Sequence, residues 1–170
     1  MRLYIFDNFF LILLLKIHTF SMFYDLTFRS TCPLSNILDL VGDRWSLILI
    51  RDIFIGRNTY MEFLKSPEKI STNVLVNRTK KLREYGLIDF KRDKIDSKIK
   101  YYYLTDKGMN LYPILIEMSL WTKKNLPTLP THELAQQGFL DIEKVGIDLH
   151  KNNVIVSYKK IREDLFKETI

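Results

Sequence analysis

Three histidines (His18, His132, His150) and one cysteine (Cys32) are the residues of this chain best suited to metal or nucleophilic chemistry. Zinc sites and catalytic triads need such groups at short recurring spacings or beside a partner acid. Here they stand far apart, and no glycine-rich phosphate loop or dinucleotide fingerprint accompanies them. The pattern offers no route to an enzyme and implies neither a metal nor a cofactor. A lone cysteine also excludes an intramolecular disulfide, so a cytoplasmic location is expected.

The chemistry the sequence does offer is anion recognition. Between Lys69 and Lys107 there are eleven basic residues against five acidic ones, an excess equal to the +6 of all 170 residues. The flanking segments are therefore balanced, and a charge excess confined to one stretch points to a localised anionic partner. Inside it lies ISTNVLVNRTKKLREYGLIDF, residues 70–90, in which amides, an arginine and paired lysines alternate with apolar positions. Such a stretch reads either as a solvated amphipathic helix or as a helix shaped for a DNA groove.

The elements around it decide between the two. Pro33 starts a helix that carries Leu34, Ile37, Leu38 and Val41 at helical spacing until Gly42. Asp43 caps a second helix, apolar nearly all round from Trp45 to Phe54, which should form the centre of the core. A short helix from Tyr60 to Lys65 ends at Ser66-Pro67. Ser71 is then the expected N-cap of the next helix, with Leu75, Thr79 and Leu82 inward and Gly86 as a left-handed terminus. Strands are expected at Ile88–Arg92 and Tyr101–Leu104, joined by the lysine-bearing DKIDSKIK. Thr105-Asp106 caps a long helix to Lys124, kinked or restarted at Pro113. After a Pro127/Pro130 linker the tail is expected to form a helix, then a hairpin from Val145 turning at Asn152-Asn153, then a short helix from Ile161 to Lys167. A short helix, a turn, a capped helix and a basic hairpin follow the order of a helix-turn-helix with a wing.

In this arrangement the chain resembles the HxlR-type winged helix-turn-helix transcriptional regulators from Cys32 to about Leu126. The resemblance is carried by Cys32-Pro33, by Gly42-x-x-Trp45, by Leu104-Thr105-x-x-Gly108, and by Pro113 and Trp121 in family order. It implies an α+β, mostly helical fold: a winged helix-turn-helix with a two-stranded wing and a long C-terminal helix used for dimerisation. The implied function is a sequence-specific DNA-binding regulator, not an enzyme, acting as a homodimer on two half-sites. The alternative is a winged helix repurposed for protein contact. Two departures stand out: Thr79 replaces the family's usual leucine, and DKIDSKIK lacks the prolines the family's wing carries.

With Leu75, Thr79 and Leu82 inward, the same helix turns Thr72, Asn73, Val76, Asn77, Lys80 and Arg83 outward. An asparagine can bond adenine in a bidentate manner and a valine can touch a thymine methyl, so Asn73, Asn77, Val76 and Thr72 are the expected base-facing set. Ser71, Arg78, Lys80 and Lys81, with Arg92, Lys94, Lys98 and Lys100 of the wing, are expected at phosphates, Arg78 alternatively in an internal ion pair. Surplus apolar positions at Leu34, Ile37, Leu115, Met118 and Trp121 are expected in a dimer interface.

The resemblance also makes Cys32, at a helix N-terminus, a candidate sensor of redox or electrophilic signals. A small buried residue fitting a tight helix start accounts for it more simply. Domains are expected at 22–126 (winged helix-turn-helix) and 127–170 (linker and C-terminal extension). Residues 1–21 are expected to be a start-site artefact ahead of Met22 or a dimer helix. Their apolar run from Phe9 to Leu15 is too short to span a bilayer, which needs about 20 residues, so no stable membrane insertion is expected.

Overall fold

The computed structural model describes residues 29–169. The chain divides into two compact units, Met1–Asp39 and Leu40–Ile170. The expectations for residues 1–21 lie outside the described residues. Helix α1, Pro33–Val41, begins at the expected proline and crosses the division. Within the first unit, Arg29 Nε lies 2.8 Å from Asp39 Oδ1.

The second unit opens on α2, Ser46–Phe54. Asp43 caps it as expected, its carboxylate accepting from the amides of Trp45 (2.9 Å) and Ser46 (3.1 Å) and from the Ser46 hydroxyl. Leu49, Ile50 and Ile53 are buried in the core, and so is Asp52, whose side chain is 0% exposed. Apolar periodicity gave no sign of a buried charge there. Burying a carboxylate is costly unless it is paired, and Asp52 Oδ1 accepts from Arg51 (2.6 Å) and Arg57 (3.2 Å). Arg51 also grips Glu68 at 2.7 Å, which ties α2 to the turn beyond the next helix.

That next helix, α3 (Tyr60–Leu64), starts in a capping box. Glu62 Oε2 accepts the Asn58 and Thr59 amides at 2.9 Å, and Thr59 Oγ1 accepts the Glu62 amide at 3.3 Å. Phe63 on its inner face is fully buried, 5.8 Å from the Tyr102 ring. The recognition-helix segment forms α4, Thr72–Glu84. Ser71 occupies the N-cap position in an extended conformation, but its side chain makes no capping bond. Leu75, Thr79 and Leu82 are buried as expected. Thr79 meets its polar obligation inside its own helix, its hydroxyl donating to the carbonyls of Leu75 (2.9 Å) and Val76 (3.1 Å). The helix ends with Gly86 at φ +65°, where the Leu87 amide reaches the Leu82 carbonyl and the Gly86 amide that of Arg83. This is the six-to-one and five-to-two pattern of a Schellman terminus.

Strands β1 (Ile88–Arg92) and β2 (Lys100–Leu104) pair antiparallel with Ile88 opposite Leu104 and Arg92 opposite Lys100. On the other edge of β2 the Tyr102 amide donates to the Asn58 carbonyl at 2.7 Å. The wing loop is ordered without prolines. Asp93 Oδ1 accepts the amides of Ile95 and Asp96, Asp96 Oδ1 accepts that of Lys98, and Arg92 donates to the Ser97 carbonyl at 2.6 Å.

The expected long helix restarts rather than kinks. Thr105 caps the short α5, Asp106–Met109, and α6 runs from Tyr112 to Asn125 with Pro113 in its first turn. Beyond the linker the expected hairpin is absent. Helix α7 spans Glu133–Val145, and α8 is one continuous helix, Ile147–Thr169, through Asn152-Asn153 and the expected terminal helix alike. The physical reason is a face on multiples of four residues, His150, Tyr158, Arg162 and Phe166, which finds partners on the rest of the unit. Tertiary docking of that face overrides the local strand preference of Val154-Ile155-Val156.

Candidate nucleic-acid interface

Helix α4 is held on three sides, which fixes the face it leaves to solvent. Inward, Leu75 and Leu82 enter the core. Toward α2, Arg78 Nε lies 3.3 Å from Asp43 Oδ1, the carboxylate that caps that helix. Burial pushes the Asp43 carboxyl up, but the Ser46 hydroxyl, the Trp45 and Ser46 amides and the Arg78 charge outweigh it and hold the group below its ordinary value. This contact is the internal ion pair that was one of the two roles expected for Arg78. Toward the wing, Arg83 Nε lies 3.1 Å from Asp89 Oδ1, with its guanidinium 4.4 Å from the Phe90 ring centre.

Ser71, Thr72, Asn73, Val76, Asn77, Lys80 and Arg83 are exposed. Lys81 is half-buried, with its ammonium 5.4 Å from the Tyr85 ring. In the wing, Arg92, Lys94 and Lys98 are exposed and Lys100 is half-buried over the Phe90 ring at 4.6 Å. Phe90 thus gathers Arg83, Arg92 and Lys100 around one aromatic ring. Such cation–π contacts order long basic side chains that would otherwise sweep through solvent. Sequence reasoning did not single out Phe90, although an aromatic between Asp89 and two cations was a visible signal.

A cleft of about 460 Å³ lies between α3, α4 and the wing. Its walls include Tyr60 and Met61, Val76, Lys80 and Arg83, and Lys98 to Lys100, with no acidic residue among them. Ile95, which sequence reasoning passed over, projects from the wing tip at 98% exposure.

The other expected site residues lie on α6, on α1 and at Cys32. Met118 and Trp121 are exposed on α6 in one stripe with Ile114, while Leu115 is half-buried. On α1, Leu34 is exposed and Ile37 half-buried. Cys32 is exposed, not buried as the simpler account of it supposed, and its amide donates to Ser30 Oγ at 3.0 Å. Among the described residues, no group of three or more histidines, cysteines or carboxylates could hold a metal ion, and no helix is long and apolar enough to cross a membrane.

A capped helix after a short one, with a basic two-stranded hairpin beside it, defines a winged helix-turn-helix protein. Residues 40–130 match the HxlR-like helix-turn-helix family, and the chain belongs to it. It is 31% identical over 90 residues to an HTH-type transcriptional regulator of Synechocystis, a match covering 51% of this chain and 64% of that protein. The crystal structure of PA1607 superposes with a TM-score of 0.55 at 32% identity, covering 61% of this chain and 73% of that one. The oxidised form of the redox regulator HypR superposes at 0.50 with 27% identity, covering 55% and 97%. The class is that of transcriptional regulators, not enzymes.

Proposed function

We propose that this protein is a sequence-specific transcriptional regulator that binds double-stranded DNA as a homodimer, with α4 in the major groove and the wing along the flanking backbone. The observation that carries the reading is the continuous face formed by the exposed amides of Asn73 and Asn77, the cations of α4, and an acid-free cleft leading to the wing lysines. Base edges are read by Thr72, Asn73, Val76 and Asn77. Phosphates are held by Ser71, Lys80, Lys81, Arg92, Lys94, Lys98 and Lys100, and Arg83 joins them from the cleft wall. The Ile114, Met118 and Trp121 stripe, with Leu115 beside it, supplies one surface on which two copies meet, and Leu34 and Ile37 of α1 supply another.

Regulation by a small molecule or a redox change fits the likeness to HypR and the exposure of Cys32. A Cys32→Ser variant still released from DNA by diamide would remove this cysteine from the response. DNA binding would also place the protein's work in the cytoplasm.

Phosphate contacts release counterions, so log affinity should fall with log salt at about −0.9 per phosphate contacted. Four contacts per protomer would give a dimer a slope near about −7. Fluorescence anisotropy with a duplex across a salt series measures it, and a slope near zero would overturn the reading.

A further inference from the structure

A two-stranded hairpin is marginally stable by itself, so something must hold the wing at a fixed angle to α4. One face of the hairpin carries Phe90 and Tyr102 and looks toward Arg83 and Phe63. The opposite face, which holds Lys91 and Tyr103, is covered by the last turns of α8. The Phe166 ring lies 4.7 Å from Tyr103, edge to face, and the Lys91 ammonium lies 5.1 Å from its centre.

The outer edge of β2 is closed by the same helix. At Leu104 the amide donates to Tyr158 Oη at 2.8 Å and the carbonyl accepts from Arg162 at 3.0 Å; Arg162 also reaches Asp106 at 2.8 Å. Tyr158 is buried, and its ring is 5.0 Å from Phe54 of α2. Nearer its start, α8 is anchored on α6, with His150 Nε2 3.0 Å from Tyr112 Oη and Lys151 Nζ 2.8 Å from Glu117. From His150 to Phe166 the helix covers about 24 Å.

We infer that α8 is a brace for DNA binding: Phe166 and Arg162 are positioning residues that fix the wing against a helix footed on α6, so that the wing cations meet the backbone while α4 sits in the groove. The family match ends at residue 130, so this helix lies outside the matched segment. The inference rests on the DNA-binding reading above. Removing the Phe166 ring uncovers one face of the hairpin and frees Lys91, while α4 keeps its own anchors in the core and at Asp43. Wing contacts are therefore lost and base reading by α4 remains.

The test uses the full chain and the tightest duplex recovered from a random-sequence pool. Wild type, Phe166→Ala, Phe166→Tyr and Arg162→Met are compared for salt slope and for preference over a random duplex at fixed salt. Losing two wing contacts in each protomer of a dimer makes the slope shallower by about 3 to 4. That loss is expected in Phe166→Ala and Arg162→Met, with sequence preference kept within about twofold and the slope restored in Phe166→Tyr. Hydrogen exchange at the Leu104 amide should quicken in the same two variants. Unchanged slopes in both variants, on a wild type that binds steeply, would overturn the brace and leave the DNA reading standing. Preference and slope lost together in both would assign α8 a purely structural role. A flat slope in wild type would remove the DNA reading and the brace with it.

Discussion

At the scale of single residues, the chain spends its specific side chains on close approaches and caps. Gly108 shows why Leu-Thr-x-x-Gly takes the form it does. Thr105 caps α5 by accepting the Gly108 amide at 3.1 Å, and its hydroxyl donates to the Gly86 carbonyl at 2.6 Å. This draws the start of α5 onto the end of α4 so closely that a Cβ at position 108 would lie 1.9 Å from the Leu87 carbonyl oxygen. Backbone cannot yield as a side-chain tip can, so Gly108→Ala should destabilise by about 3 kcal/mol, the upper part of the range for overpacking. Urea denaturation measures it, and a loss below about 0.5 kcal/mol would show that α5 is free to move away. The motif was legible in the sequence as a resemblance; the reason for it required the geometry.

Among elements, the joint between α2 and the helix-turn-helix depends on charge. Arg51 links Asp52 of α2 to Glu68 in the turn between α3 and α4, and the Ser66 hydroxyl donates to Glu68 at 2.5 Å. The Arg51 hydrogen bonds hold the Glu68 carboxyl at about 2, well below its ordinary 4.5. Because the folded value is depressed, the ionised group stabilises the fold above pH 4.5, and this contribution is lost as pH falls from 4.5 toward about 2. Glu68→Gln should therefore lower stability at neutral pH and flatten the decline through that window, as followed by thermal melts at stepped pH. A variant whose melting temperature falls with acid as steeply as wild type would show that Glu68 contributes nothing to the joint.

The elements also show what a single sequence conveys. Prolines, glycines and caps located α1, α2, α3, α4 and both strands, because local chemistry alone terminates those segments. The tail's helix is not legible locally because Asn152-Asn153 ahead of β-branched Val154-Ile155-Val156 favours a turn, whereas its helix is decided by distant partners such as Leu104 and Tyr112. The spacing of His150, Tyr158, Arg162 and Phe166 was the available signal. For the interface, the outward set on α4 followed from its inward set. The Phe90 cation cluster and the Arg51–Asp52–Glu68 network did not, since each joins residues whose proximity only the fold creates.

On the scale of the whole molecule, one winged helix contacts few base pairs, so the proposed reading of DNA calls for a second copy on a two-fold axis. Exposed Met118 and Trp121 on α6 place the proposed contact on the helix in which α8 is footed, so one scaffold would orient both the partner and the wing. A dimer of this kind should select inverted half-sites about one helical turn apart. The most direct measurement of the central claim is the affinity of wild type and of the Asn73→Ala, Asn77→Ala double variant for a selected duplex, each relative to a random duplex at one salt concentration. Each good bidentate base contact contributes about 1–3 kcal/mol of discrimination, so the double variant should lose at least about tenfold of the wild-type preference while its affinity for random DNA stays nearly the same. An unchanged preference, on symmetric selected sites, would contradict the reading of DNA by this face of α4.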